Sequence, residues 1–326
     1  MSEETIARFA ELTGKLRKEV QKMIVGHGDV IDGVLICLLA GGHVLLEGVP
    51  GLGKTLLVRT LSEALALDFQ RIQFTPDLQP KDIIGSIQIA RGDDGEERRI
   101  FEPGPIFSNI VLADEVNRAT PRTQSALLEA MAERSVTVGK TTHMLEEPFF
   151  VLATQNPLEQ DGTYPLPEAQ LDRFQFKLEV QFPSLDELDE IMNRTISGES
   201  PKIGPVMTKE ELLELRASCR DVGITPSLQR FALRILQATH PSVEGVPGIV
   251  KQYVREGASP RGGQAILSGA RIHALMRGEA MVSEADIIAC VGPALRHRVI
   301  LNFEGEAEGI ERDDLIDAII KQTPRS

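Results

Sequence analysis

Three glycines and a lysine separate two apolar runs in the stretch LLEGVPGLGKTLLV, residues 45–58. Gly48, Gly51 and Gly53 can take backbone angles closed to other residues and let a ligand approach the main chain. Val44, Leu45 and Leu46 read as a short buried strand, and from Thr55 the residues Leu56, Leu57, Leu61, Leu65 and Leu67 follow helical spacing. A glycine-rich turn opening a helix aims several N–H groups at one point beside the positive end of the helix dipole, which suits an anion. Lys54 adds a full positive charge there, and Thr55 offers a hydroxyl suited to a magnesium ion. The spacing Gly48-x-x-x-x-Gly53-Lys54-Thr55, between strand and helix, is that of a phosphate-binding P-loop. The binding stretch predicted from it is Gly48, Val49, Pro50, Gly51, Leu52, Gly53, Lys54, Thr55 and Leu56.

Such a cradle serves kinases, GTPases and motors alike, so the acids that accompany it matter. IVLADE sets Asp114 and Glu115 at the carboxyl end of a buried strand, where ligands bind in open α/β sheets. Neighbouring residues on a strand point opposite ways, but at the strand exit the chain can turn both toward the phosphates. Asp114, with Thr55, would then hold magnesium, mostly through water, and Glu115 would polarise an attacking water. VLATQNP ends another apolar strand in Thr154, Gln155 and Asn156; the Asn156 amide either orients that water, senses the γ-phosphate, or only starts an Asn-Pro turn. Arg173, between Asp172 and Phe174, pairs with a surface acid on local grounds. In GASPRGGQ, Ser259 caps a helix, Pro260 fills its first turn and Arg261 follows. A cation near a helix N-terminus opposes the dipole by about 0.3–1 kcal/mol. A nearby phosphate would remove that cost; an exposed arginine that tolerates it is the alternative.

The elements that must position these groups follow from periodicity. Residues 1–24 predict a helix with Ile6, Phe9, Leu12, Leu16, Val20 and Met23 on one face, followed by an apolar helix over 30–40. FQRIQFT, NIVLADE, FFVLATQN and FKLEVQF read as strands, with a helix at TPRTQSALLEAMAE that Thr120 caps and Pro121 opens. GDDGEE is a turn between strands SIQIA and RRIF, and SVTVGKTTHML is a hairpin with Gly139-Lys140 at its tip. Alternating apolar strands and helices predict an α/β fold with a parallel sheet covered on both faces. Past residue 183 helices dominate, with capping boxes at Ser184/Glu187 and Thr208/Glu211, a Thr225-Pro226 start, and Ser283 with Asp286. The expected division is a P-loop α/β core with N-terminal helices over 1–183, and a linker with a smaller helical domain over 184–326.

The chain's 326 residues are 42% apolar and 25% charged, ordinary for a globular protein. There is no apolar run of 18 residues and the N-terminus lacks an h-region, so no membrane span or signal peptide is expected. Cys37, Cys219 and Cys290 sit in apolar surroundings, which suits reduced thiols in a cytoplasm. No His/Cys cluster has zinc-ligand spacing. A net charge of −13, only 4% aromatics and no long Lys/Arg run argue against nucleic acid as a partner.

GVPGLGKT, FEPGPIFSNIVLADEVNRATPRTQSALLEAM, ATQNPLEQDGTYPLPEAQLDRF and GASPRGGQ together resemble the MoxR family of AAA+ ATPases. The likeness runs from about residue 25 to about 300 and is densest between 100 and 175. It implies an αβα core followed by an all-helical lid, with ATP and Mg2+ bound between subunits of a homo-oligomeric ring, a hexamer. It assigns Lys54 and Thr55 to Walker A, Asp114 and Glu115 to Walker B, Asn156 to sensor 1, Arg173 to the arginine finger and Arg261 to sensor 2. The finger would act on a neighbour's ATP; whether Arg261 acts in cis or in trans stays open. Val25 and Gly26 would lie near the adenine, and His27 stands where the family more often has glutamine. Segments 84–102 and 135–147 resemble hairpins that face the pore or client in related rings, with Arg98, Arg99, Lys140 and His143 as solvated tips or contacts. The implied role is chaperone-like remodelling of a protein client, such as a metalloenzyme or complex, alongside a von Willebrand factor A domain protein on a separate chain. A nucleic-acid-acting ring motor and a nucleotide-gated scaffold with little turnover are the rivals.

Overall fold

A computed structural model describes residues 1–91, 97–157, 162–196 and 201–325. The chain opens with helices α1 (Glu3–Gln21) and α2 (Gly28–Ala40), and strand β1 (Val44–Glu47) leads through the glycine loop into α3 (Lys54–Leu65). Strand β2 (Phe69–Gln73), helix α4 (Pro80–Ile84) and the antiparallel hairpin β3 (Gly85–Arg91)/β4 (Glu97–Pro103) come next. Strand β5 (Ile110–Asp114) and helix α5 (Pro121–Glu133) precede a second hairpin, β6 (Ser135–Val138)/β7 (Thr141–Met144). Strand β8 (Phe150–Gln155), helix α6 (Glu168–Leu171), strand β9 (Phe176–Glu179) and helix α7 (Leu185–Ile196) follow. The C-terminal part holds α8 (Lys209–Ser218), α9 (Pro226–Gln237), α10 (Gly248–Tyr253), α11 (Pro260–Met276), α12 (Glu284–Leu295), α13 (Phe303–Ala307) and α14 (Arg312–Gln322). It is helical apart from one antiparallel ribbon of β10 (Val254–Glu256) and β11 (Ile300–Leu301), a departure from the all-helical expectation. Most of the GDDGEE turn and part of the 197–205 linker lie outside the described residues.

The sheet is parallel, in the order β2-β5-β8-β1-β9. The inner strands β5, β8 and β1 read as near-continuous apolar runs because both faces are covered, and the strand period of two sorts their side chains. Leu46, Ile110, Leu112, Phe150 and Leu152 join a cluster with α1, α2, α3 and the C-terminal helices. Leu45, Val111, Ala113, Val151 and Ala153 face the other way, toward α5. The predicted face of α1 is the buried one: Ile6, Phe9, Leu16 and Val20 are in the core, with Leu12 and Met23 packed against it.

The first cluster does not stop at the boundary expected near residue 183; Ile266, Ala270 and Cys290 share it with Phe176. Gly269 shows how tight that joint is, since a Cβ there would lie 2.7 Å from Phe176 Cζ and 3.0 Å from Cys290 Sγ. The lid is thus welded to one face of the sheet. All three cysteines are free and buried, and burial raises each thiol above its ordinary range. Thr120 occupies the N-cap of α5, but its hydroxyl meets Thr123 Oγ1 at 3.2 Å and no backbone amide, so the cap is one of backbone geometry only.

His43, buried just before β1, ties sheet to helix: Val151 N donates to Nδ1 (3.0 Å) and Nε2 lies 3.3 Å from Met131 O. Burial pulls its pKa from 6.5 down to about 4, so the folded chain keeps it neutral where an unfolded one protonates. Stability from this residue is present above pH 6.5 and lost as the pH falls toward 4. Unfolding at pH 5 should therefore cost about 2 kcal/mol less than at pH 7 from His43 alone. Urea titrations of the parent and of His43→Asn at both pH values check this: the variant should show a pH dependence smaller by that amount.

Candidate functional site

The P-loop residues, the paired acids and Asn156 meet at the carboxyl ends of three adjacent strands. Gly48 lies against β9, where a Cβ would sit 2.7 Å from Val180 O, so only glycine lets the loop leave β1 there. Gly51 (φ 85°) and Gly53 (φ 75°) take left-handed angles that favour glycine, and the space at both positions is open. The loop therefore presents main chain, not side chains, to its centre. Helix α3 starts at Lys54, one residue earlier than its apolar spacing indicates, with Gly53 as its N-cap. Lys54 Nζ donates to Gly48 O at 2.6 Å, bridging the loop. Burial lowers the Lys54 pKa, while Asp114, Glu115 and Glu47 pull it up, which puts all three carboxylates within electrostatic reach.

Strand β5 ends at Asp114 and Glu115 turns the chain, with φ 57° and ψ 50°. That turn lets both acids serve one site, as strand alternation alone would not. Thr154 couples them: its hydroxyl donates to Asp114 Oδ1 (2.6 Å) and accepts from Glu115 N (2.8 Å). Gly48 N reaches Gln155 O at 3.4 Å, so the end of β8 abuts the loop and brings the buried Asn156 beside it.

Three residues of this site are invisible to motif reading. Arg71 Nε and Nη2 donate to Asp114 Oδ2 at 3.0 and 2.7 Å, and Arg71 also bonds Gln73. Gln73 Nε2 donates to Glu115 Oε2 at 2.7 Å, and Arg118 Nη1 to the same oxygen at 3.0 Å. The signal was two polar residues at i and i+2 on β2, but only the register, Gln73 opposite Asp114, gives it meaning.

Beside the loop lies a cleft of about 430 Å³ with Val25, His27, Leu52, Leu56, Phe182 and Leu188 on its walls. Its apolar lining suits a flat heterocycle next to a phosphate cradle. Gly26 lies between Val25 and His27 of that wall; its φ is 69°, and the Glu187 carboxylate occupies the position a Cβ would take. His27 is the left-handed N-cap of α2 and stands on the cleft wall.

Comparison with known proteins decides the class. Residues 43–176 match the ATPase family associated with various cellular activities (AAA), and residues 248–319 match the AAA lid domain. The chain is 42% identical to Chaperone MoxR1 of Mycobacterium tuberculosis, over 93% of this chain and 79% of that one. It is also 45% identical to the uncharacterized YeaC of Bacillus subtilis, over 95% and 93%. A crystal structure from Cytophaga hutchinsonii superposes with a TM-score of 0.91 at 40% identity, covering 99% of this chain and 97% of the other. The chain belongs to the MoxR family of AAA+ ATPases.

As a MoxR-family protein it is an ATP-hydrolysing enzyme with a chaperone-like role. No helix among the described residues is long and apolar enough to cross a membrane.

The two arginines singled out by sequence lie elsewhere. Strand β9 pairs with β1 from Phe176↔Val44 to Glu179↔Glu47, so Arg173, three residues before β9, is at the amino ends of the sheet while the loop is at the carboxyl ends. Arg173 donates to Leu128 O and lines a cleft of about 320 Å³ together with Arg261, Asp172 and Arg298. Asp172 organises that cleft: Ser259 Oγ donates to its Oδ1 at 2.8 Å, Arg298 Nε donates to the same oxygen at 2.8 Å, and Arg261 Nη1 stands 3.7 Å from Oδ2. The two clefts share no lining residue. The family's hairpins are present, and His143 is no solvated tip: its ring stacks on Phe101 at 4.0 Å and 22°, clasping one hairpin to the other.

Proposed function

We propose that this chain works as a ring, a hexamer, in which each ATP is bound by one subunit and completed by the next, and that turnover remodels or matures a protein client. The observation that carries the reading is the separation of Arg173 and Arg261 from Lys54, Asp114 and Glu115 within one chain, across opposite ends of one sheet. A set of groups split this way serves one reaction only if a second copy supplies the missing half. Because Arg261 shares its cleft with Arg173, both act in trans in this reading.

The cradle suits a triphosphate with magnesium: open main-chain amides, Lys54, and two carboxylates held side by side by Thr154. Thr55 and Asp114 would hold the ion, which when bound neutralises phosphate charge and orients the phosphates. Lys54 and the main-chain N–H groups of the loop, of which Pro50 has none, bind and neutralise the phosphates. Val25 and the apolar cleft wall hold the base. Glu115 accepts a proton from the attacking water and Asn156 orients it. Arg173 and Arg261 from the neighbour stabilise charge on the transferring phosphoryl group.

The welded joint between lid and sheet favours motion of one chain against the next over closure within a chain, which carries each hydrolysis event to the clasped hairpins and the client. The chain acts in the cytoplasm, with a von Willebrand factor A domain protein as a separate partner.

Dilution tests this. Turnover per chain should fall toward zero as the protein is diluted below its assembly concentration, followed by light scattering and phosphate release. A chain that stays single yet hydrolyses ATP at full rate overturns the reading. Lys54→Ala should also reduce ATP binding at least about 100-fold by removing a partly desolvated charge pair with phosphate, measured with a fluorescent nucleotide; unchanged affinity would mean that the cradle is misassigned.

A further inference from the structure

We propose that Arg71 is a built-in stand-in for the metal ion: its guanidinium neutralises Asp114 until a divalent cation takes its place, so Arg71 sets how readily the site loads. The inference rests on the reading of Asp114 as a metal-holding residue and adds a positioning residue that acts through it.

The register of the sheet builds the contact. Strand β2 is the edge strand beside β5, with Arg71 opposite Leu112 and Gln73 opposite Asp114. Residues two apart on a strand share a face. Arg71 and Gln73 therefore lie together, while Ile72 between them packs into the core on the other face. Arg71 Nε and Nη2 both donate to Asp114 Oδ2, at 3.0 and 2.7 Å. Arg71 Nη2 also donates to Gln73 Oε1, and the Gln73 amide donates onward to Glu115 Oε2. One guanidinium thus spans two adjacent carboxylates that would otherwise repel each other.

The hydrogen-bonding capacity of Asp114 makes this contact a competitor of the ion. An ionised carboxylate accepts about four hydrogen bonds, two at each oxygen. Arg71 fills both positions on Oδ2, and Thr154 Oγ1 takes one on Oδ1. A cation that holds Asp114, directly or through its water, needs such a position. Charge sharpens the conflict, because a guanidinium at hydrogen-bond distance repels a divalent ion brought to the same oxygen. Thr154 is neutral and brings no such repulsion. Arg118, the other guanidinium here, pairs with Glu115 and not with Asp114.

Exposure makes Arg71 the partner that moves. Its side chain is 47% exposed against 13% for Asp114. Ion pairs this exposed are weak, so a doubly charged ion displaces the guanidinium into solvent at the sheet edge without a change in the backbone.

The test titrates Mn2+ into the nucleotide-free full chain and reads bound ion by electron paramagnetic resonance, counting only the binding that Asp114→Asn removes. Arg71→Ala should tighten that binding about tenfold, because a positive charge is lost from beside the ion. Arg71→Gln, which keeps a long polar side chain, should do the same, whereas Arg71→Lys keeps the charge and should stay within about threefold of the parent. A merely structural brace predicts the opposite sign, since its loss would loosen Asp114 and weaken the binding. Arg71→Ala and Arg71→Gln chains that bind Mn2+ no tighter than the parent overturn the inference. Fluorescent ATP binding by Asp114→Asn separates this from the metal assignment itself. If Asp114→Asn weakens binding in Mg2+ but not in EDTA, and the Arg71 variants still fail to tighten, the stand-in role falls and the metal assignment stands. If Asp114→Asn changes neither, both fall.

Discussion

A chain carrying Arg173→Ala should bind ATP as the parent does, assemble, and lose turnover by about 10³–10⁵-fold, the range over which arginine fingers act. The expectation follows from position. Arg173 precedes β9 at the amino ends of the sheet, whereas Lys54, Asp114 and Glu115 cluster at the carboxyl ends. No rotation of one side chain spans that distance, so the loss should be one of chemistry and not of nucleotide affinity within the same chain. Mixing makes the point sharper. An Arg173→Ala chain retains an intact cradle and a Glu115→Gln chain retains an intact finger. Co-assembled, some cradles of the first receive fingers of the second, and phosphate release should return in proportion to those junctions. Two inactive proteins that form mixed assemblies and stay inactive would rule out action in trans. The local alternative, in which Arg173 only buttresses α5 through Leu128 O, predicts something different: a lower melting temperature for Arg173→Ala and no rescue.

The same geometry bears on Arg261. Its position at the first turn of α11 opposes the helix dipole, and the sequence left open whether a phosphate or mere tolerance offsets that cost. Asp172 supplies part of the answer within the chain, standing 3.7 Å from the guanidinium. Asp172 is also fixed by Arg298 and Ser259, so core and lid are tied together where the two arginines emerge. Arg261 is thereby aimed outward alongside Arg173, which favours a shared target on the next subunit.

Most of the sheet and the cradle were legible because their signals are local. The P-loop needs only eight consecutive residues, and strand alternation within IVLADE and VLATQ sorts side chains to two faces. The capping boxes at Thr208/Glu211 and Ser283/Asp286 close as their spacing requires, as does the pair Ser184/Glu187. What escaped depends on register or on distant pairing. Arg71 and Gln73 meet Asp114 and Glu115 only because β2 lies in register beside β5. Asp172 meets Arg298 across 126 residues of chain. His143 finds Phe101 because two hairpins fold onto each other. The apolar stripe of α7 and Phe303 are exposed among the described residues, which spacing alone does not reveal.

Glu115→Gln should keep ATP binding intact and slow hydrolysis by about 10²–10⁴-fold, the usual contribution of a positioned general base. The amide matches the carboxylate in shape, so the contacts to Gln73 and Arg118 can largely be kept. If Glu115 served only to hold those neighbours, the substitution would cost little turnover. If it accepts the water's proton, the amide cannot, and the protein halts with ATP bound. Gln73 sharpens the distinction. Its amide donates to the carboxylate oxygen that would take the proton, so Gln73→Ala should change turnover while leaving the Glu115→Gln chain as inactive as before. The trapped form also separates two of the functional readings, a remodelling ATPase and a nucleotide-gated scaffold. A remodelling ATPase loses client maturation together with phosphate release, because each cycle of the clasped hairpins needs hydrolysis. A nucleotide-gated scaffold keeps client function, because ATP occupancy alone sets its shape. Measuring phosphate release and client maturation on the same Glu115→Gln preparation therefore decides whether the energy of ATP cleavage, or only its binding, is what this molecule delivers.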